Sequence, residues 1–278
     1  LQVEFDIQTI FLLGALCAAG AVAGITSGLF GNGGGFVVVP ALLAVFPLFT
    51  DQQDSLVYVA IGTSLATIVV SSARSVQAHH ARGAVDFEVL RDWSIWLLIG
   101  VLIGLVIAAM SDASGLVRLF AIGVLIYSLY FLFPGALAHL SRQLAMPTGA
   151  ARAGLASFLG GFSALLGIGG GTITVMTMVI CNRPVHQAVA TASGVGFIIG
   201  LPGAIGFMMM GLGRDDLPMG SVGYINIPAL LAICAVSVVT APIGAGWAHR
   251  LDETRLKRLF GVYLVIVSFS MFYKSTHL

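Results

Sequence analysis

Residues 7–50 contain no Asp, Glu, Lys or Arg, and the same holds for 153–182, 184–213 and 217–249. About 20 apolar residues in a helix cross the hydrocarbon of a bilayer. Backbone in lipid must satisfy its own hydrogen bonds, so runs of this kind fold as membrane helices. Composition agrees, with 9% charged residues and 58% hydrophobic ones, against about 25% charged in a soluble domain. The mean hydropathy is +1.01. A chain of 278 residues could bury a core, but so few charges could not cover a soluble surface. The net charge of +1 forms no basic stripe, which gives no nucleic-acid partner. Cys17, Cys181 and Cys234 lie in apolar runs without metal-ligand spacing and read as small packing residues. Neither a metal nor a cofactor is expected. Residues 7–24 lack a basic leader and read as structure rather than a signal peptide.

Eight hydrophobic elements can be drawn: 7–49, 55–80, 93–111, 115–133, 151–182, 184–210, 227–249 and 254–273. The first is interrupted at 31–35 and the fifth at 167–171, both glycine-rich. These two elements are copies. Between 24–40 and 160–176, eight positions are identical: Gly24, Ser27, Leu29, Gly31, Gly33, Gly34, Gly35 and Val39 with their partners. Thr63-Ser64 is echoed by Ala192-Ser193, and Leu116-Val-Arg-Leu-Phe by Leu256-Lys-Arg-Leu-Phe. The offset is near half the chain, so four elements are duplicated. The expected organisation is a first repeat over 1–133, a connecting loop over 134–150 and a second repeat over 151–278, in one membrane domain.

Lys and Arg collect in cytoplasmic loops. Arg250, Arg255, Lys257 and Arg258 place the loop between elements seven and eight inside. Arg142 and Arg152 place the loop before element five inside, and Arg183 does the same for the loop after it. Element five therefore enters and leaves on one face. The reading that follows is a re-entrant pair of half-helices meeting at the glycines, with element one its counterpart from the other side. Each half then crosses three times, which inverts the halves, an all-α architecture typical of secondary transporters. Both termini fall on the periplasmic side. Arg82 and Arg91 agree with this topology and Arg118 runs against it. The rival is eight plain spans with parallel halves.

Consecutive glycines expose amides that no Cβ screens. A half-helix starting after Gly35 or Gly171 aims its unpaired amides and positive dipole end at mid-membrane, a site suited to a small anion. The candidate binding residues are Gly33, Gly34, Gly35, Gly169, Gly170 and Gly171. They are joined by Ser27, Asn32, Ser163 and Thr172 beside the breaks, and by Thr63, Ser64, Thr191 and Ser193 in elements two and six. Asn32 faces Ile168 in the repeat, so the site should be asymmetric. Close helix packing is the competing explanation for the glycines, and Thr172 and Thr174 could bond their own backbone. Arg74 is the one charge well inside an apolar element, read either as a functional charge or as a snorkelling residue. His79, His80, His186 and His249 lie at element ends and are expected at the interface. No Asp or Glu lies away from an element end, which argues against a buried carboxylate proton relay.

The chain resembles the TauE/SafE sulfite exporter family, also called TSUP. The resemblance rests on Gly24-Ile-Thr-Ser-Gly-Leu-Phe-Gly-Asn-Gly-Gly-Gly-Phe-Val-Val-Val-Pro and its copy from Gly160. It also rests on Gly62-Thr-Ser-Leu-Ala, Ala190-Thr-Ala-Ser and the Leu-x-Arg-Leu-Phe endings of both halves. It implies a bacterial inner-membrane permease, commonly an exporter, for sulfite, sulfoacetate, taurine-related sulfonates and other small organosulfur anions. The partners expected are that anion and the lipid bilayer, with a homodimer as the candidate assembly. A channel or non-transporting membrane subunit is the alternative. An intramembrane serine hydrolase is disfavoured, because Ser27-Gly28 and Ser193-Gly194 lack the Gly-x-Ser-Gly context and no histidine lies mid-span. Accordingly no enzymatic activity is expected.

Overall fold

The computed structural model describes residues 7–31, 33–48, 53–133, 145–247 and 253–276. Helices α1 (Ile7–Phe30) and α2 (Gly35–Val45) are followed by α3 (Gln53–His80), α4 (Phe87–Met110) and α5 (Ala113–Leu132). The second half runs α6 (Gly149–Leu166), α7 (Gly171–Ile180), α8 (Val185–Met210), α9 (Ile227–Trp247) and α10 (Glu253–Ser275). A two-stranded hairpin, β1 (Ser221–Val222) with β2 (Ile225–Asn226), precedes α9. Helices α1, α3, α4, α5, α6, α8 and α9 are long and apolar enough to cross a membrane.

The breaks fall where the glycines stand. Gly31, Gly33, Gly34, Gly167 and Gly170 all adopt positive φ, between 65° and 80°. L side chains rarely take that conformation. The arms of the two hairpins are unequal, contrary to a reading as paired half-helices. The run before each break has no breaker in it and stays helical for 24 residues in α1 and 18 in α6. Only the returning arms, α2 and α7, are short, at 11 and 10 residues.

Helix α4 starts six residues before the expected Trp93. Its N-cap is Asp86, whose carboxylate accepts from the Val89 amide at 3.2 Å. The charges of Glu88, Arg91 and Asp92 therefore lie in the first turns of a helix and not in a loop. Asp92 pairs there with Arg152 of α6. The hairpin before α9 is a second feature outside the sequence expectations. His79 and His80 lie in the last turn of α3, at an element end as expected, with His79 buried against the protein. His249 lies outside the described residues.

Packing repeats between the halves. Helix α1 lies on α9 as α6 lies on α4, and α2 lies on α3 as α7 lies on α8; α3 pairs with α8 and α5 with α10. Glycines set the closest seams. A Cβ on Gly24 would sit 2.8 Å from Ser237 Cα, and one on Gly100 would sit 2.0 Å from the Ser157 carbonyl. Such approach is the usual basis of tight helix association in lipid. The α3–α8 pair runs antiparallel: Gly62 lies by Phe207, Gly203 by Leu65, Gly196 by Ser72, and Ser75 Oγ bonds Ser193 Oγ at 2.8 Å. The α5–α10 pair is antiparallel too, with Gly261 by Leu132 and Ser268 Oγ donating to the Ala121 carbonyl at 2.8 Å.

Candidate functional site

The two glycine turns meet inside the bundle. A Cβ on Gly35, where α2 starts, would lie 2.3 Å from the Gly167 carbonyl and 2.9 Å from Ile168 Cα. The second turn is level with the middle of its neighbours: Gly167 lies against Ile61 of α3, Leu166 against Gly123 of α5, and Gly170 against Ile199 of α8. Each returning helix doubles back beside its own first arm. Gly34 touches Ala23, and Gly170 touches Ser163 and Leu159.

Helix α3 holds both turns. Ser64 Oγ donates to the Gly167 carbonyl at 2.8 Å, and Ser71 Oγ donates to the Gly33 carbonyl at 3.1 Å. Seven residues separate these serines, about 10 Å along a helix. The opposing helix α8 contributes closeness in place of hydroxyls. A Cβ on Gly196 would sit 3.3 Å from the Gly169 carbonyl and 2.6 Å from Ser72 Oγ.

Gly34 and Gly170 cap α2 and α7 without any side-chain cap bond. The first amides of a helix have no carbonyl one turn back. At α7 these are Gly171 and Thr172, both buried, with Thr174 already bonded to the Gly170 carbonyl through both its amide and its hydroxyl. Around this helix start lie three buried hydroxyls that have no hydrogen-bond partner: Ser72, Ser163 and Thr172. Ser163 Oγ is 3.0 Å from where a Gly170 Cβ would stand, and Ser72 is beside Gly196 and Gly169. A buried polar group without a partner costs roughly 1–3 kcal/mol. Unpartnered hydroxyls beside unpaired amides form a buried, donor-rich cluster whose chemistry suits an oxyanion.

The expected site residues divide into groups. Gly33, Gly34, Gly35, Gly169, Gly170, Gly171, Ser163 and Thr172 form the two turns, and Ser64 anchors one of them. Ser27 is buried beneath the first turn and its carbonyl accepts from the Gly31 amide at 2.8 Å. Asn32 lies outside the described residues. Thr63 and Thr191 are buried but engaged elsewhere: the Thr63 hydroxyl accepts from the Asn226 amide at 2.9 Å, and that of Thr191 from the Asp86 amide at 3.0 Å. Ser193 bonds Ser75 and the Val189 carbonyl. Arg74 is on the exposed face of α3, bonded to Gln77 at 3.0 Å, and is not brought to the turns. Ser71 and Ser72 were not among the expected residues. Both lie in an ordinary serine-rich stretch, and only the packing of α8 against it singles them out. Among the described residues, no cluster of His, Cys, Asp or Glu could hold a metal ion.

A separate cavity of about 500 Å³ opens at the end of the bundle where α3 begins and α8 ends. Ser55, Tyr58, Asp112, Ser114, Arg214 and Tyr224 line it. The rings of Tyr58 and Tyr224 stack at 5.1 Å. Arg214 binds Asp216 through two bonds of 2.8 and 2.9 Å, and this guanidinium holds the Asp216 carboxyl below the usual carboxylate range.

Seven apolar membrane-length helices and two broken hairpins meeting inside them define a multi-pass helical membrane protein of the transporter class. The chain belongs to the sulfite exporter TauE/SafE family, whose model matches residues 16–271. A probable membrane transporter protein of Haemophilus influenzae is 32% identical over 92% of this chain and 96% of its own. One from Methanocaldococcus jannaschii is 24% identical over 97% of this chain and 98% of its own. Another, from Bacillus subtilis, is 24% identical over 93% and 97%. No solved structure matches the chain.

Proposed function

We propose that the protein is a secondary transporter, working as an exporter, for small sulfur-containing anions such as sulfite, sulfoacetate and other short organosulfonates. The observation that carries this reading is the set of unpartnered hydroxyls, Ser72, Ser163 and Thr172, gathered at the start of α7. An anion there gains hydrogen bonds from them, from the first amides of α7, and from the positive end of the helix dipole. Among the described residues of the two turns there is no lysine or arginine. A neutral donor site binds an anion without holding it too firmly to release. An inside-negative potential favours outward movement of an anion by about 2.3 kcal/mol per charge per 100 mV. The sulfur chemistry follows the family name; the packing supports an oxyanion.

Alternating access by two inverted repeats is the mechanism we infer. It is supported by the exchange of packing partners between the halves and by the antiparallel course of the matched pairs α3–α8 and α5–α10. The repeats correspond to 1–133 and 151–278, and the basic loops put both termini on the periplasmic side of a bacterial inner membrane. Reconstituted protein should pass sulfite or sulfoacetate and show counterflow, which marks a carrier over a channel. Ser72→Ala with Ser163→Ala should weaken apparent affinity by roughly tenfold or more, as two donors to a charged group are lost. Wild-type flux and affinity in that double variant would remove the site.

A further inference from the structure

Two hydrogen bonds described above are of one kind. Asp86 and Asn226 each stand immediately before a matched helix, α4 and α9. The side-chain oxygen of each accepts from the amide three residues on, Val89 at 3.2 Å and Ala229 at 3.0 Å. The backbone amide of each then donates to a threonine hydroxyl on the central helix of the other half. Asp86 reaches Thr191 of α8 at 3.0 Å, and Asn226 reaches Thr63 of α3 at 2.9 Å. The two threonines differ by one residue in register, since the repeat partner of Thr63 is Ala192 and Thr191 precedes it.

Their positions are complementary. Because α3 and α8 run antiparallel, Thr63 lies at the Phe207 end of the pair and Thr191 lies beyond the Ser75–Ser193 contact at the opposite end. Both glycine turns are fastened to α3 between those ends, at Ser64 and Ser71. Outside the Thr63 bond is the 500 Å³ cavity, whose floor is the Tyr58–Tyr224 stack. Beneath that stack Tyr224, Ile225 and Asn226 are buried, and the Tyr224 carbonyl presses on Gly62. The cavity is thus stopped by the hairpin one residue short of Ser64. Outside the Thr191 bond, Asp86 meets Gln187 at 3.5 Å and Arg183 at 3.8 Å.

We propose that these two bonds are the alternating gates of the path between α3 and α8, the Asn226 bond closing one face and the Asp86 bond the other. The inference rests on the transporter reading and adds the residues that open and close it. Each latch joins the helix cap of one half to the central helix of the other, so one can break while the other stays made. With both made, the structure is the closed form on either side. The two latches differ in chemistry. The Asn226 latch residue is uncharged and backed by aromatic rings, with Arg214 over the Tyr224 ring outside it, whereas the Asp86 latch residue is itself a carboxylate that a cation, Arg183, accompanies.

The test is thiol accessibility in purified full-length protein with Cys17, Cys181 and Cys234 replaced by serine. One reporter is Ala204→Cys, beside Gly203, which faces Leu65 two residues inward of the Thr63 latch; the other is Ser75→Cys, between the first turn's anchor at Ser71 and the Thr191 latch. The probe is a charged methanethiosulfonate. Thr63→Val should speed labelling of Ala204→Cys by about fivefold, as one lost hydrogen bond shifts an open–closed equilibrium by that order. Labelling of Ser75→Cys should not rise. Thr191→Val should do the reverse, and Thr63→Ser and Thr191→Ser should each restore protection. Equal rises at both reporters, or no rise at either, would overturn the gates. Thr63→Ala and Thr191→Ala serve if a valine variant does not purify as a single species. Labelling needs no substrate, so reciprocal opening without sulfite flux would spare the gates and remove the substrate. Flux without reciprocal opening would do the opposite.

Discussion

Gly35→Ala is the smallest change that tests whether the two glycine turns must touch. The added methyl carbon would stand 2.3 Å from the Gly167 carbonyl oxygen, about 1 Å short of ordinary contact, and 2.9 Å from Ile168 Cα. Both are backbone atoms of the facing turn, so no flexible side chain can yield. Gly35 itself is helical, with no positive φ, so its own backbone accepts alanine. The cost is therefore that of overpacking, about 1–3 kcal/mol, shared between displacing the second turn and stretching the Ser64–Gly167 bond. Gly154→Ala in α6 is the control, since nothing lies within 4 Å of the methyl there. In a helix that exchange is worth roughly 0.5–1 kcal/mol in favour of alanine. Thermal unfolding in detergent should place the Gly35 variant below wild type and the Gly154 variant at or above it. Flux through proteoliposomes should fall only in the first. If both variants melt together and transport alike, the turns do not depend on contact and the geometry assigned to the site is wrong.

The other expectations are narrower. Gly104→Val drives two methyl groups toward the Gly161 carbonyl of α6, 2.6 Å from the first added carbon, and should lower stability by about 1–3 kcal/mol in the same melt. Ser64→Ala frees the Gly167 carbonyl and should cost roughly 1 kcal/mol, read as a lower midpoint, and should raise thiol accessibility near the second turn. Arg214 depresses the Asp216 carboxyl, so the contribution of that pair is complete above the unfolded value of about 3.9 and is lost as pH falls through the folded one. The pair is largely solvent-exposed and worth under about 1 kcal/mol. The melting difference between wild type and Asp216→Asn should accordingly be small, flat from pH 8 to 5, and gone below the folded value.

The glycine breaks were legible because positive φ, as at Gly31, Gly33, Gly34, Gly167 and Gly170, strongly favours glycine. The repeat was legible in part for the same reason, since Gly31 with Gly167 and Gly34 with Gly170 take positive φ in both halves. The start of α4 was hidden: Glu88, Arg91 and Asp92 look like loop, and the cap at Asp86 becomes visible only with its Val89 bond. The hairpin before α9 has four strand residues, too few for any alternating pattern to register. Within the site, sequence gave residue types without partners. Thr63 and Thr191 read as hydroxyls beside the site, and their oxygens accept amides from the other half, a pairing the sequence does not show. Ser72 looked like any small residue of a membrane helix; its vacancy depends on Gly196 bringing α8 against it.

That α3 fastens both turns has a consequence for the history of the chain. A fused duplication begins with equivalent central helices, but Ser71 corresponds in the repeat to Gly200, which has no hydroxyl to offer. One helix has become the holder and its twin the close-fitting partner. A polypeptide consisting of the second half alone, paired with itself, would carry two α8 helices, each with Ser193 in the place of Ser64 but glycine in the place of Ser71, and should lack the second anchor. Only co-expression with the first half would supply it.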